Sequence, residues 1–224
     1  AAGFAPYAAQ EKLRLGYKRL PDVMTAMDLE VQMRTSGLPS RPSDGSVPAK
    51  VAFIQCVGSR EIRSNNYCSR VCCGYALRLG RMLKHRFGSQ VSVFYMDLQS
   101  FGHVYDEFLA KAREELNLVR AMPYDVWPSG NGGGVEIEYQ PESGQAALRE
   151  PFDLLVLSVG MKPTGDNAEL ARIFNLEPDK HGFLSKDSQG VFTAGAAVRP
   201  MDVAECVAHA GRAANLVINY LEEA

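Results

Sequence analysis

Four cysteines crowd into one short stretch of this chain, with the spacing Cys56-x11-Cys68-x3-Cys72-Cys73. Thiolates are soft donors, and four of them are what a cubane iron–sulfur cluster requires, whereas hard oxygen ligands would suit magnesium or calcium. If residues 68–73 are already helical, Cys68 and Cys72 share a face and Cys73 lies about 100° around from Cys72. Convergence then needs Cys56 to close the site from the end of a strand. A helix amino terminus also offers unpaired N–H groups and positive partial charge, which stabilise an anionic cluster. Three alternatives stand beside this reading: cysteines buried as small core residues, a zinc site, which adjacent Cys72-Cys73 fits poorly because zinc knuckles are spaced C-x(2–4)-C, and a dithiol redox centre, for which no C-x-x-C is present.

A dinucleotide-binding unit would carry G-x-G-x-x-G after its first strand, letting the backbone approach a pyrophosphate. Here that loop reads Cys56-Val57-Gly58-Ser59-Arg60, which argues against a nicotinamide site and leaves a degenerate one as the alternative. Asp97, at the end of the next strand, reads as a helix or turn cap rather than a ribose-binding acid. His85 sits on a basic helix face, and His103, His181 and His209 lack convergent partners in the pattern, so all four histidines read as non-catalytic.

The elements that position the cysteines alternate in type. Val51-Ala52-Phe53-Ile54 is an apolar run suited to a strand buried on both faces, ending at Cys56-Val57-Gly58. An amphipathic helix is predicted from about Ser69 to Phe87, with Cys73, Leu77, Leu79, Gly80, Leu83 and Phe87 at helical spacing. Val91–Met96 reads as a second strand, a helix through Val104, Phe108, Ala112 and Leu116 follows, and Leu118–Ala121 makes a third strand. This β-α-β-α-β order implies a parallel sheet with right-handed crossovers. The turn-rich stretches Gly130-Asn131-Gly132-Gly133-Gly134 and Pro141-Glu142-Ser143-Gly144 flank Val135–Tyr139 and lead into Ala146-Ala147-Leu148, which suits an antiparallel meander. Phe152–Val159 reads as a further buried strand, ending in a loop at Gly160-Met161-Lys162-Pro163, on the sheet edge where cofactors usually lie. The predicted fold class is therefore α/β, a Rossmann-like parallel sheet plus an antiparallel meander.

The ends read differently. Residues 1–44 read as a connector holding a short helix, with Thr25 and Asp28 spaced like a capping box before Leu29 and Met33, followed by Ser36–Pro48, rich in Ser, Pro and Gly. Val191–Gly195 looks like a strand and turn, and from Asp202 a long Ala-rich helix reaches about Glu222, with Cys206 read as a core residue.

Composition sets the bounds. With 224 residues, 46% of them apolar, the chain can bury a real core. A net charge of −2 and a pI near 6.1 give no basic field, so no nucleic-acid partner is implied. No apolar run approaches the roughly 20 residues that span a bilayer, and the first residues lack the order of a secretory signal, so the expected location is cytoplasmic with no direct membrane span. Five cysteines are too sparse for a disulfide scaffold.

The run VAFIQCVGSREIRSNNYCSRVCCGYALRLGRMLK, followed by VSVFYMDLQSFGHVYDEF, resembles the segment of the heterodisulfide reductase A-subunit, and of quinone-interacting membrane-bound oxidoreductase flavin subunits, that carries an extra four-cysteine cluster. AAGFAPY resembles the entry to that region, and GVFTAGAAVRPMDVAECVAHAGRAA its flavin-contact motif. The resemblance implies an internal fragment of a pyridine nucleotide-disulfide oxidoreductase-like flavoprotein, with Cys56, Cys68, Cys72 and Cys73 ligating a [4Fe–4S] cluster and Gly3, Gly195, Ala196, Met201, Asp202 and Val203 contacting FAD. Cys56 sits on a loop one residue shorter than the commonest family version. The implied domains are residues 1–44, connector and remnant of a FAD domain; 45–164, the Rossmann-like inserted domain with the cysteines; and 165–224, the remainder of a split FAD domain. The family's G-x-G-x-x-G loop has no counterpart in this chain, so weak or absent FAD binding is expected. The implied function is electron relay between flavin and cluster, with other redox subunits as partners, at the membrane only through those subunits. The alternatives are a docking module with zinc or no metal and an NAD(P)H-dependent disulfide reductase.

Overall fold

The structure, a computed structural model, describes residues 3–99, 105–130, 132–142, 144 and 146–223. Of the positions named above, Ala1, Ala2, His103, Val104, Asn131 and Ser143 lie outside the described residues. In chain order the strands are β1 (Ala5–Pro6), β2 (Val23–Thr25), β3 (Lys50–Val57), β4 (Gln90–Tyr95), β5 (Asn117–Arg120), β6 (Asp125–Pro128), β7 (Val135–Tyr139), β8 (Leu148–Phe152), β9 (Leu154–Val159) and β10 (Met161–Lys162). The α-helices are α1 (Ala26–Ser36), α2 (Cys72–Phe87), α3 (Tyr105–Glu115), α4 (Asp166–Phe174) and α5 (Val203–Glu222). The chain divides into two compact units, the larger formed by Ala8–Gly58 and Cys72–Val159, the smaller by the stretch up to Tyr7, Ser59–Val71 and everything from Gly160.

The larger unit is built on a five-stranded sheet of order β2-β9-β3-β4-β5, and every adjacent pair is parallel. This is the expected α/β class. Val51, Ala52, Phe53 and Ile54 are at most 1% exposed, which is why the run carries no polar alternation: helices cover one face of β3 and a meander the other. On the first face Ala76, Leu77, Leu79 and Leu83 of α2 pack with Val51, Phe53, Val91 and Val93. Gly80 lets that helix approach, since a Cβ there would meet Val91 Cγ1 at 3.1 Å and Leu116 Cδ1 at 3.2 Å. The antiparallel sheet β6-β7-β8 belongs to the same unit. Its alternating Val135, Ile137 and Tyr139 are buried, and Tyr139 and Phe152 meet Phe94 of β4 edge-on at 4.8 and 6.0 Å between ring centres.

Two expectations change here. Phe152–Val159 is not one strand: Asp153 turns the chain between β8 and β9, its carboxylate accepting the N–H groups of Ala49 (2.8 Å) and Lys50 (2.7 Å). The stretch read as a connector with a short helix has that helix, with Leu29 of α1 fully buried, and contributes in addition an edge strand, because β2 pairs with β9. The Thr25–Asp28 capping box is formed in both directions. A three-residue strand is too short to show a period, so only the helix signal is visible in the sequence.

In the smaller unit β1 and β10 pair antiparallel, so Met161–Lys162 is paired backbone rather than loop. The expected strand at Val191–Gly195 is replaced by an isolated bridge, Ser188 with Val191, and a single 3-10 turn at Gly195–Ala197. α5 starts where expected, capped by Asp202 in a reciprocal box with Glu205. Among the described residues no helix is long and apolar enough to cross a membrane.

Asp22 is fully buried and fastens three segments of the larger unit. It accepts N–H groups from Ser43 (3.0 Å) and Gly134 (2.6 Å) and lies 3.4 Å from the Arg41 guanidinium. Burial alone would raise its pKa, but the bonds from Gly134 and Ser43 with the Arg41 charge outweigh that and hold it below the usual value. Replacing Asp22 by Ala is expected to cost about 3 kcal/mol in urea denaturation at neutral pH, because it strands buried donors and a cation. A depressed carboxyl pKa contributes stability that is complete above its unfolded value and fades as pH falls through the folded one. The gap between native and variant should therefore narrow only in acid, below the ordinary carboxylate range.

Candidate metal centre

The chain runs β3-α2-β4-α3-β5 toward one side of β3, while β9 and β2 lie on the other. The carboxyl ends of β3 and β9 thus form the topological switch point of the sheet, where open α/β sheets leave a crevice. In the larger unit three of the four expected ligands stand at this edge. Cys56 is the penultimate residue of β3, and Cys72 and Cys73 open α2. All three are buried, at 7%, 5% and 5% exposure.

Cys56 takes a left-handed backbone, φ +59°, where the β3–β9 register shifts between Ile54 and Val57. For a residue with a Cβ this conformation costs about 1–2 kcal/mol. Val57 resumes the pairing with Val159, whose carbonyl accepts the Cys72 thiol at 3.6 Å and the Tyr75 hydroxyl at 3.1 Å. Burial, reinforced by Cys72 and Cys73, pushes the Tyr75 phenol well above its usual range and keeps it a neutral donor. Burial, with Cys73 nearby, raises Tyr105 to about 12. Among the described residues the Tyr105 hydroxyl, the Ser158 hydroxyl and both amide atoms of Gln55 are buried without a hydrogen-bond partner. Motif and spacing single out none of these polar groups, although a lone Gln inside Val51–Val57 is a visible anomaly.

Cys68 belongs to the smaller unit, on the loop Ser59–Val71. The expected helix over residues 69–87 begins only at Cys72, so Cys68 shares no helix face with Cys72. Ser69 is occupied otherwise: its hydroxyl lies 2.6 Å from that of Ser59 and accepts the Met161 N–H at 2.8 Å. Arg70 follows at φ +65°, which breaks helical geometry. Its own N–H points at Cys68 Sγ, 3.3 Å away, and its guanidinium grips Glu205 with contacts of 2.5 and 3.4 Å. Tyr67 anchors the loop by donating to the Met161 carbonyl at 3.0 Å, and its ring meets those of His181 and Phe183 edge-on.

The remaining expected site residues are all in the smaller unit. Gly3 (φ +66°) and Gly195 (φ +71°) use conformations that favour glycine. Gly195 donates its N–H to His209 Nδ1 at 3.2 Å, giving that histidine a positioning partner the sequence does not reveal. Ala196 is half-buried, Met201 buried, Asp202 half-buried and Val203 81% exposed. Cys206, expected in a core, is only half-buried, because no residue of α5 is buried.

By residue type the donor set suits a sulfur-loving centre: thiols, a helix amino terminus and a buried amide without a partner among the described residues lie toward one sheet edge. It is not closed, since among the described residues no three His, Cys, Asp or Glu side chains are gathered as a metal ion requires.

No family model matches the chain. It is 33% identical over 97% of its length to the iron–sulfur A-subunit of the CoB–CoM heterodisulfide reductase of Methanocaldococcus jannaschii, covering 36% of that protein. It is 32% identical over 99% of its length to the A-subunit of the ferredoxin:CoB–CoM heterodisulfide reductase of Methanosarcina mazei, covering 30% of it. The chain thus spans about a third of the length of these curated relatives. Among solved structures it resembles the thioredoxin reductase of T. acidophilum, with a TM-score of 0.59 at 14% identity over 99% of this chain and 64% of that one. That likeness is one of fold.

The Cys68 loop depends on one close approach. A Cβ at Gly160 would lie 2.0 Å from Ser59 Oγ and 2.7 Å from Ser69 Oγ, so Gly160→Ala must force the serine pair apart. The expected loss is about 1–3 kcal/mol, read as a lower denaturation midpoint together with faster amide exchange across residues 59–71.

Proposed function

The chain belongs to the heterodisulfide reductase A-subunit family, and on that premise we propose that it is the electron-transfer segment of an FAD- and iron–sulfur-containing oxidoreductase. In this reading Cys56, Cys68, Cys72 and Cys73 hold a [4Fe–4S] cluster. The observation that carries it is the placement of Cys56, Cys72 and Cys73, each buried and each at the switch-point edge, where a nucleotide diphosphate would need a glycine loop instead. A bound cluster supplies one-electron chemistry; the protein supplies placement and electrostatics.

The chain's own groups divide that work. Cys56 is turned out of the ladder by its left-handed backbone, and the first turn of α2 brings Cys72 and Cys73 with its amide dipoles. The Arg70 N–H already orients the Cys68 sulfur. Tyr75, neutral and tied to Val159, walls the site without competing as an anion. Gly3, Gly195, Ala196, Met201, Asp202 and Val203 are the proposed FAD contacts, supported by the bare backbone at Gly195 and the exposed entry of α5 at Val203. The partners are further redox subunits, consistent with relatives that are themselves named as subunits.

Anaerobic reconstitution with iron and sulfide should give a broad visible absorbance and about four iron and four sulfide per chain. Serine at Cys56, Cys68, Cys72 or Cys73 should each abolish or sharply reduce that content, whereas Cys206→Ser should leave it unchanged. Stoichiometric zinc, or a colourless protein without metal, would instead favour a docking role, and NAD(P)H-driven thiol turnover a dithiol reductase. In the same preparations FAD should not be retained through gel filtration, since the chain contains no G-x-G-x-x-G loop for the diphosphate.

A further inference from the structure

Gln55 interrupts a strand that is otherwise apolar or thiol, Val51-Ala52-Phe53-Ile54-Gln55-Cys56-Val57. It is 0% exposed, and among the described residues neither Nε2 nor Oε1 has a partner. An amide buried without hydrogen bonds costs about 1–3 kcal/mol. Leu or Met would fill the same space without that cost, so something other than packing accounts for the amide.

Its position indicates what. Alternation along β3 sets Gln55 in line with Val51 and Phe53, which belong to the cluster shared with α2, one step nearer the carboxyl edge. On β9 that level is Ser158, between Leu157, which pairs with Ile54, and Val159, which pairs with Val57. Val159 receives the Cys72 thiol and Tyr75 hydroxyl, and Cys56 is the next residue in the chain. A second donor lies on the same face: Tyr105 of α3 belongs to the cluster with Val51 and Phe53, and among the described residues its buried hydroxyl likewise has no partner. With Ser158 Oγ, also without a partner among the described residues, three side chains carry orphan donors on the face that leads to Cys72 and Cys73, and sulfur is the acceptor chemistry this edge offers.

We propose that Gln55 and Tyr105 are positioning residues for the sulfur centre, each donating its N–H or O–H to a ligand or inorganic sulfur once the cluster is bound. The inference rests on the ligand assignment proposed above and adds how the centre's charge is tuned. Donors to sulfur spread the cluster's negative charge and favour the reduced form, so they raise the reduction potential and slow ligand loss. A side chain that only fills space does neither.

The test uses the whole chain carrying Gln55→Met or Tyr105→Phe, without metal and after anaerobic reconstitution. Without metal, both variants should be at least as stable as the native chain in urea, because each removes an unsatisfied buried group. With iron and sulfide bound, both should show a more negative midpoint potential by electrochemistry and several-fold faster iron release to a chelator. If the native chain takes up no iron and sulfide, the ligand assignment fails and the inference falls with it. If it loads normally and both variants match its potential and release rate, the inference alone fails. Marked loss of metal-free stability in both variants would also overturn it, by showing that the two groups are already satisfied.

Discussion

The pairing of β3 with β9 is the constraint on which the larger unit depends. Both strands are buried on two faces: Val51, Ala52, Phe53, Leu154, Leu155, Val156 and Leu157 are wholly removed from solvent. At about 1.5–3 kcal/mol for each large apolar side chain buried, this ladder admits little freedom in register. A parallel pair also forces the chain to cross over between its members, so both strands point their carboxyl ends the same way. The cysteines of the larger unit lie at that edge because the first crossover leaves β3 and enters α2 there. Their position follows from topology before any ligand is considered.

The tight register also explains where irregularity is concentrated. β3 and β9 match residue for residue from Val51–Leu154 to Ile54–Leu157 and lose register only at Gln55 and Cys56. An extra residue in one strand bends it and re-aims its side chain. The positive φ of Cys56 is a local expression of that bulge, and the surrounding core is rigid enough to hold the strain in place. In the smaller unit Arg70 follows the same logic: a left-handed residue ends one conformation two residues after Cys68 and turns its N–H onto that sulfur.

Much of this is legible in the sequence where a period can develop. The β3-α2-β4-α3-β5 series, the alternation of β7 and the long α5 all follow from runs long enough to show spacing of 2 or 3.6 residues. The capping box at Thr25 is visible because it needs only two residue types at fixed separation. Short or context-made elements are not. β2 has three residues and exists through its partner β9, and the break at Asp153 depends on backbone donors a hundred residues away. Spacing alone starts α2 too early because Ser69 and Arg70 are compatible with helix by composition. What excludes them is a bond to Met161 and a left-handed turn. Spacing marks the cysteines as candidates but wrongly sets Cys68 on a helix face with Cys72, and it gives no sign of the Gly160, Ser59 and Ser69 clasp, since no pattern links such distant positions.

On the proposed reading, the glycine loop of a nucleotide-binding unit and the cysteine edge of this sheet answer the same demand differently. A diphosphate needs backbone N–H groups brought close, so that edge must be bare, and glycine provides bareness. A sulfur-bound centre needs side chains there, and a side chain at a left-handed position carries an energetic cost that glycine would avoid. Gly58 keeps its positive φ of 75°, yet two residues earlier the same region of backbone space is occupied by Cys56. A glycine at Cys56 would relieve the strain and delete the sulfur. Cysteine at that position, beside a buried amide where a hydrocarbon would be less costly, is not what the fold alone requires, and it accords with the proposed chemistry at the edge.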